Sequence, residues 1–289
     1  MPHLNFIALS GNCKSVLTIH DLSFLRYPEF FSLRKNFWHQ MINVKSLVKK
    51  FDQLVAVSEN TKRDIIELGG VNPDKIKVIY SAVGEQIKDL KDDNSKLAEI
   101  KRKYQLPDKF ILHLGTIEPR KNIANLIYAY ELLQKKSVQF ANYELIIVGV
   151  NGWKSKEIFK VRQKSNFKNK IKFIGYVDSI NKVYLYRLAS VFVYPSFYEG
   201  FGFPPLEAMT LGVPVITSFN SSLPEVTAGA ALMIDPENIS QIAKCLEEVL
   251  TDQELREELI KKGLARARQF DWEKSAKEYL KIFYQLAYK

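Results

Sequence analysis

From residue 109 onward, short runs of apolar residues alternate with longer stretches in which apolar positions recur every three or four residues. Short runs rich in β-branched and aromatic side chains suit strands covered on both faces. The amphipathic stretches suit crossover helices that lay each strand parallel to the last. The pattern predicts strands at residues 110–114, 143–148, 171–174, 191–194, 213–217 and 230–234. Helices are predicted at 123–136, 155–164, 179–189, 204–211 and 239–250, followed by two more at 253–268 and 273–287. Six strands in that alternation make one doubly wound, Rossmann-like domain.

The earlier part is thinner. Residues 16–20, 53–57 and 76–80 are strand-like, with a helix predicted at 60–68 and Ser58 as its N-cap. Between Val83 and Pro107 the chain turns polar, and residues 88–96 show no apolar face, which places an interdomain linker at 88–106. The expected division is therefore 1–87, linker 88–106, 107–270 and a final helical segment 271–289. Residues 26–50 interleave Lys and Arg with Phe and Trp at roughly helical spacing. That fits a helix lying on a membrane surface, and equally an ordinary amphipathic helix packed on the sheet.

Composition narrows the class. With 289 residues, 46% hydrophobic and 26% charged, the chain is long enough for two globular domains and is neither disordered nor collagen-like. Cys13 and Cys245 form no Cys-x-x-Cys pair, so no disulfide framework or zinc site is expected and the compartment is read as reducing. No apolar run approaches the ~18 residues of a membrane span, and residues 1–15 lack the basic start of a secretory signal, so a cytoplasmic protein is expected. A net charge of +10 favours an anionic partner: phosphates, nucleic acid or a lipid surface. The cations are spread over many segments and no nucleic-acid-binding motif appears, so nucleic acid is not expected.

In open parallel sheets, ligands bind beyond the carboxyl ends of the strands. The strand at 110–114 runs into Gly115-Thr116-Ile117-Glu118-Pro119-Arg120-Lys121-Asn122, a glycine-started loop with two adjacent cations that opens a helix. Arg120 can grip two phosphate oxygens and Lys121 adds a point charge. A solvated surface pair is the competing reading. After 191–194 comes Pro195-Ser196-Phe197-Tyr198-Glu199-Gly200-Phe201-Gly202-Phe203-Pro204-Pro205-Leu206-Glu207-Ala208. Its glycines allow close approach of a ligand, and the amides of Gly200, Phe201 and Gly202 are available to a phosphate. Glu207, near a helix start, suits a ribose diol, whereas Glu199 lies in the loop. Exposed aromatics beside glycines are hard to explain by packing alone.

Glu199 and Glu207, with seven residues between them after Tyr194-Pro195-Ser196, resemble the E-x7-E motif of retaining GT-B glycosyltransferases of family 4. The loop from Gly115 to Asn122 resembles that family's cationic loop. Ser222-Leu223-Pro224-Glu225-Val226 with Gly229 and Asp235-Pro236 resembles its next loop and strand. Thr18-Ile19-His20-Asp21-Leu22-Ser23-Phe24, Ala56-Val57-Ser58-Glu59-Asn60-Thr61 and Val78-Ile79-Tyr80-Ser81-Ala82-Val83 resemble its first-domain motifs.

The resemblance implies an α/β protein of two Rossmann-like domains facing a cleft, the first incomplete, with the last helix crossing back to the first domain. It implies that Arg120, Lys121 and Gly115 bind the diphosphate of a nucleotide-sugar and that Glu207 binds the ribose. Backbone at Gly175, Tyr176 and Val177 would face the base, Glu199 would hold the transferred sugar, and His20 would reach over it. A lone His after a strand is also an ordinary packing residue, which is how His39 and His113 are read. Glu225 suits a helix start, where a carboxylate complements the dipole. No Asp-x-Asp occurs, so a metal-independent reaction without cofactor is expected.

The implied function is retaining transfer of a hexose, with GDP-mannose as the suggested donor, to a glycan or lipid-linked acceptor in surface-polysaccharide synthesis. Contact with the inner face of an anionic cytoplasmic membrane is part of that expectation. Related enzymes begin with a strand and a Gly-rich loop that residues 1–14 do not resemble, so the chain is expected to lack part of the first domain. The alternative is a nucleotide-sugar-binding protein without transferase activity, or one piece of a split enzyme. A phosphorylase on the same fold is disfavoured, since no pyridoxal-phosphate lysine motif is recognisable.

Overall fold

Two parallel sheets organise the chain, one in each of two compact units. The computed structural model describes residues 13–41, 43–88 and 93–288. The first unit comprises Met1–Ala82, Tyr198–Gly202 and Phe270–Lys289, and the second Val83–Phe197 and Phe203–Gln269.

The first unit contains strand β1 (Val16–Ile19), helices α1 (Ser23–Arg26), α2 (Leu33–Met41) and α3 (Val44–Lys49), strand β2 (Gln53–Ala56), helix α4 (Glu59–Gly69) and strand β3 (Ile76–Val78). The strands pair in parallel in the order β1-β2-β3, with Leu17 opposite Leu54 and Ala56 opposite Val78. On one face Leu17, Leu54 and Ile76 pack with Val44 and Val48 of α3 and Ile65 of α4. Helix α4 starts where expected because the Ser58 side chain accepts from the Thr61 amide at 3.0 Å, and it stops at Gly70 in the left-handed conformation, φ 62°.

The basic stretch at 26–50 divides into two helices because Asn43 caps α3, its side chain accepting from the Ser46 amide at 3.1 Å. Of the two sequence readings, packing on the sheet holds for α3. Helix α2 instead leaves Leu33 89% and Phe37 66% exposed. The side chain of His39 lies outside the described residues, as do residues 1–12.

The second unit holds α5 (Glu85–Lys88), α6 (Asn94–Lys103), β4 (Lys109–Leu114), α7 (Ile123–Lys136), β5 (Tyr143–Val148), α8 (Ser155–Lys164), β6 (Ile171–Gly175), α9 (Ser179–Leu188) and β7 (Val191–Tyr194). It continues with α10 (Phe203–Thr210), β8 (Val215–Ser218), α11 (Leu223–Thr227), β9 (Leu232–Ile234), α12 (Ile239–Thr251) and α13 (Gln253–Ala267). Its sheet is parallel throughout, in the order β6-β5-β4-β7-β8-β9. The order reverses between β4 and β7, the point where a doubly wound sheet opens a crevice at its carboxyl edge. Ile111, Leu145, Val193 and Ile216 of the strands pack with Tyr130 and Leu246 of the helices in one core.

Residues 93–106 of the segment expected to be a linker belong to the second unit. Asp93 caps α6 by accepting from the Lys96 amide at 3.0 Å, Ile100 is fully buried, and the unit boundary falls at Ala82/Val83. An apolar stripe as narrow as Leu97 and Ile100 is easily lost among surrounding lysines.

The last helix, α14 (Trp272–Ala287), belongs to the first unit. Ile282, Tyr279 and Leu286 lie on one stripe of it and pack with Val16, Val55 and Ile79. The Tyr279 hydroxyl lies 2.9 Å from Thr18 Oγ1, and Ser275 Oγ donates to the Tyr80 carbonyl at 2.6 Å. Ile282→Ala should destabilise the first unit by ~2–4 kcal/mol through the cavity it leaves, read as a lower urea midpoint. An unchanged midpoint would show that α14 contributes no core.

Candidate functional site

The two strands flanking the reversal point, β4 and β7, carry the cationic loop and Tyr194. After β4 the chain passes Gly115 and enters a tight turn, Pro119–Lys121, with Pro119 at its first position and Asn122 left-handed at φ 58°. Neither cation is a solvated surface pair, so the competing sequence reading fails. Lys121 is 7% exposed; its Nζ donates to the Tyr194 hydroxyl at 2.7 Å and lies 5.1 Å from the ring centroid. The Tyr194 ring stacks on His113, which is buried with Nδ1 3.0 Å from the Val193 carbonyl. Arg120 pairs with Glu118, only 1% exposed, through Nε at 3.1 Å and Nη2 at 2.9 Å.

The two cations are oriented by Glu118 and Tyr194, both buried. The loop backbone is fixed as well, because the Arg120 carbonyl accepts from the Phe197 amide at 2.9 Å and from Ser196 Oγ at 3.0 Å. Asn122 and Asn125 each donate to the Pro236 carbonyl, at 2.6 and 3.0 Å, tying in the Asp235-Pro236 loop. A Cβ added at Gly115 would sit 3.7 Å from His113 and Tyr194 and 3.8 Å from Lys121, so Gly115 lies against the same cluster.

Glu207 lies in α10, buried, and is already engaged. Its Oε1 accepts from Lys182 Nζ at 2.7 Å and its Oε2 from the Tyr186 hydroxyl at 2.9 Å, both donors coming from α9. Burial, and secondarily the Glu207 charge, pushes the Tyr186 hydroxyl well above the usual tyrosine range, so it stays a donor. Sequence reasoning missed Lys182 and Tyr186; their spacing of four on one helix was the available signal. At the end of β6, Gly175 takes φ 74°, Tyr176 is 71% exposed and Val177 is buried.

A second group lies within the first unit: His20, exposed just after β1, and the segment Tyr198–Gly202 carrying Glu199. Of the aromatics read as exposed in this loop, Phe203 is 37% exposed, but Tyr198 and Phe201 are not. Tyr198 and Phe201 are 3% and 4% exposed, and packing explains them. Phe201 lies edge-on to Phe270 at 5.7 Å and tilted to Tyr80 at 6.4 Å, while Tyr198 packs on Tyr27 at 5.6 Å.

Gly200 is required by closeness, since a Cβ there would fall 1.8 Å from the His20 carbonyl oxygen. Its own carbonyl lies 2.6 Å from Ser58 Oγ and 3.1 Å from Thr61 Oγ1. The structure thus brings Gly115, Arg120 and Lys121 together in the second unit, and His20 together with Glu199, Gly200, Phe201 and Gly202 in the first. Glu225 sits in the first turn of α11, as expected of a carboxylate at a helix start. Among the described residues, no group of three or more His, Cys, Asp or Glu could hold a metal ion, and no helix is long and apolar enough to cross a membrane.

Comparison with known proteins matches both halves. The family profile of glycosyl transferases group 1 matches residues 96–266, and that of Glycosyltransferase Family 4 matches residues 2–86. O-antigen chain mannosyltransferase B of Escherichia coli is 36% identical over 264 residues, covering 90% of this chain and 67% of that protein. The serotype-specific mannosyltransferase WbdA of Escherichia coli is 34% identical over 265 residues, covering 91% of this chain and 32% of the relative. This chain therefore spans about two thirds of the first relative and about one third of the second.

Among solved structures, sucrose-phosphate synthase from Thermosynechococcus elongatus superposes with a TM-score of 0.75 at 24% identity, over 94% of this chain and 67% of that one. Anabaena Alr3699/HepE in complex with UDP-glucose gives 0.77 at 20% identity, over 94% and 72%. Likeness at that identity shows the fold, which is GT-B.

Proposed function

Because this chain belongs to the glycosyl transferases group 1, we propose that it transfers a hexosyl residue from a nucleotide-diphosphate sugar, with retention of configuration, to a glycan or lipid-linked acceptor in surface-polysaccharide synthesis. The observation that carries this reading is the Arg120–Lys121 pair at the reversal point of the second sheet, with Lys121 buried and the Arg120 side chain 12% exposed. Two cations held by Glu118 and Tyr194 away from bulk water form a site for a diphosphate. Mannose as the sugar, and hence GDP-mannose as the donor, is supported by the Escherichia coli mannosyltransferases.

In this reading Arg120 and Lys121 hold the diphosphate, Glu207 takes the ribose, and backbone around Tyr176 and Val177 meets the base. Glu199 and His20 contact the transferred sugar. Breaking the sugar–phosphate bond builds positive charge on the ring and negative charge on the leaving diphosphate. Fixed cations oppose the latter without reorganising, so no metal is called for. The leaving phosphate accepts the acceptor's proton on the face it departs from, which gives retention without a protein base.

A thermal-shift screen of nucleotide-sugars tests the donor. A ligand at ~100 times its dissociation constant adds about 2.7 kcal/mol, so GDP-mannose should raise the melting midpoint clearly and UDP-glucose should not. No response to any nucleotide-sugar would sink the reading. Donor binding without transfer to a lipid-linked acceptor would favour the binding-only alternative.

The partner surface follows from α2. Leu33 and Phe37 are exposed on a helix that also carries exposed Arg34 and Lys35, with exposed Lys45, Lys49 and Lys50 in and just after α3. Apolar anchors flanked by cations suit an anionic bilayer surface. The chain should partition onto phosphatidylglycerol vesicles in a salt-sensitive way and only weakly onto neutral ones. Equal partitioning onto both would overturn the membrane proposal.

A further inference from the structure

Burying a carboxylate in mid-helix is expensive unless its oxygens are matched, and aspartate is a weak helix former. Helix α4 nevertheless carries Asp64, 2% exposed. Its Oδ1 accepts from Arg26 Nε at 3.0 Å and Nη2 at 2.6 Å, and its Oδ2 accepts from the Tyr198 hydroxyl. Asn60, one turn earlier on α4, places Nδ2 3.3 Å from the same hydroxyl. The Arg26 bonds match one carboxylate oxygen; the other, with Asn60, reaches out to Tyr198, the residue before Glu199. On the other side of Glu199, the Gly200 carbonyl meets Ser58 and Thr61 at the start of the same helix. The carboxylate of the E-x7-E loop is therefore gripped through both of its neighbours by one turn and a half of α4.

We propose that Asp64 and Tyr198 are positioning residues that set the Glu199 carboxylate against the transferred sugar. The inference rests on the reading that Glu199 contacts that sugar. It assigns the first unit's Ala56–Thr61 motif and the helix after it a task beyond packing: α4 is the anvil on which the Glu199 loop is held. Burial and the Asp64 charge push the Tyr198 hydroxyl well above the usual tyrosine range, so the hydroxyl remains a donor and the clamp stays closed over the working pH range.

The test separates sugar recognition from nucleotide binding by titrating the full chain with GDP and with GDP-mannose. The readout is the ratio of the two dissociation constants, supplemented by kcat wherever transfer is measurable. Tyr198→Phe keeps the ring and its packing and removes only the hydroxyl. It should reduce the sugar-dependent gain in affinity, and kcat, about tenfold while GDP affinity stays within twofold. Asp64→Asn should do the same, and the double variant should be no worse than either single one, because both break one clamp.

A purely structural role would lower the melting midpoint and leave the ratio unchanged, and that result for Tyr198→Phe would overturn the inference. Glu199→Gln is the control for the reading beneath it. If Glu199→Gln abolishes the sugar-dependent gain while Tyr198→Phe retains it, the positioning role falls and the Glu199 reading stands. If Glu199→Gln keeps the gain, the reading itself fails and the positioning role falls with it.

Discussion

Lys121→Ala should weaken GDP and GDP-mannose binding at least tenfold with little change in the melting midpoint. A hydrogen bond to a charged group contributes ~1.5–3 kcal/mol, and the ammonium here is already oriented by the Tyr194 hydroxyl at 2.7 Å, so little ordering remains to be done on binding. Removing it leaves the Tyr194 ring stacked on His113. Arg120→Ala should weaken binding by a similar factor and in addition lower stability, because it takes away the guanidinium facing Glu118. Breaking a buried ion pair by deleting one partner costs ~3–5 kcal/mol. Isothermal titration with GDP, alongside urea denaturation, reads both effects. Unchanged affinity in the two variants would remove the diphosphate from this loop.

A second large stability effect should come from Gly149→Ala. Gly149, just after β5, has φ 152°, and a Cβ there would fall 1.9 Å from the Gly115 carbonyl oxygen. No rotamer relieves a backbone contact of that kind. The ends of β4 and β5 would have to separate, breaking the bond from the Gly115 amide to the Val148 carbonyl at 2.9 Å. A loss of ~3 kcal/mol or more is expected, which shifts the urea midpoint by one molar or more at a typical slope of ~1–3 kcal/mol per molar. Because Gly115 opens the cationic loop, donor affinity should fall in the variants that remain folded. A wild-type midpoint would contradict the close approach.

The second unit was the legible part of the sequence because its strands are buried on both faces and its helices are amphipathic. Helices 123–136 and 155–164 fall at the bounds the pattern predicted. What escaped was tertiary. Nothing local says that Lys121 ends on a tyrosine 73 positions later, or that Glu207 meets Lys182 and Tyr186. Pairing across the sheet decides both. Helix α6 was hidden for a different reason: two apolar side chains suffice to seat a short capped helix, too few to stand out among charges. The aromatics at Tyr198 and Phe201 were misjudged because a glycine-rich loop usually runs over a surface, whereas this one is clamped by α4 and packed against Tyr80 and Phe270.

The first unit is assembled from three separate stretches of chain, and protein synthesis delivers them in order. The three strands and α4 leave the ribosome before the second unit, yet Val55 and Ile79 gain the packing of Ile282 only when the stretch from Phe270 onward has emerged. All of the second unit is translated in the interval, and its mostly local βα repeats can close while the earlier strands wait. The first unit is thus begun before the second and completed after it. A nascent chain stalled before Phe270 should therefore display a folded second unit beside a protease-sensitive, chaperone-binding first one, which a ribosome-arrest series would resolve residue by residue.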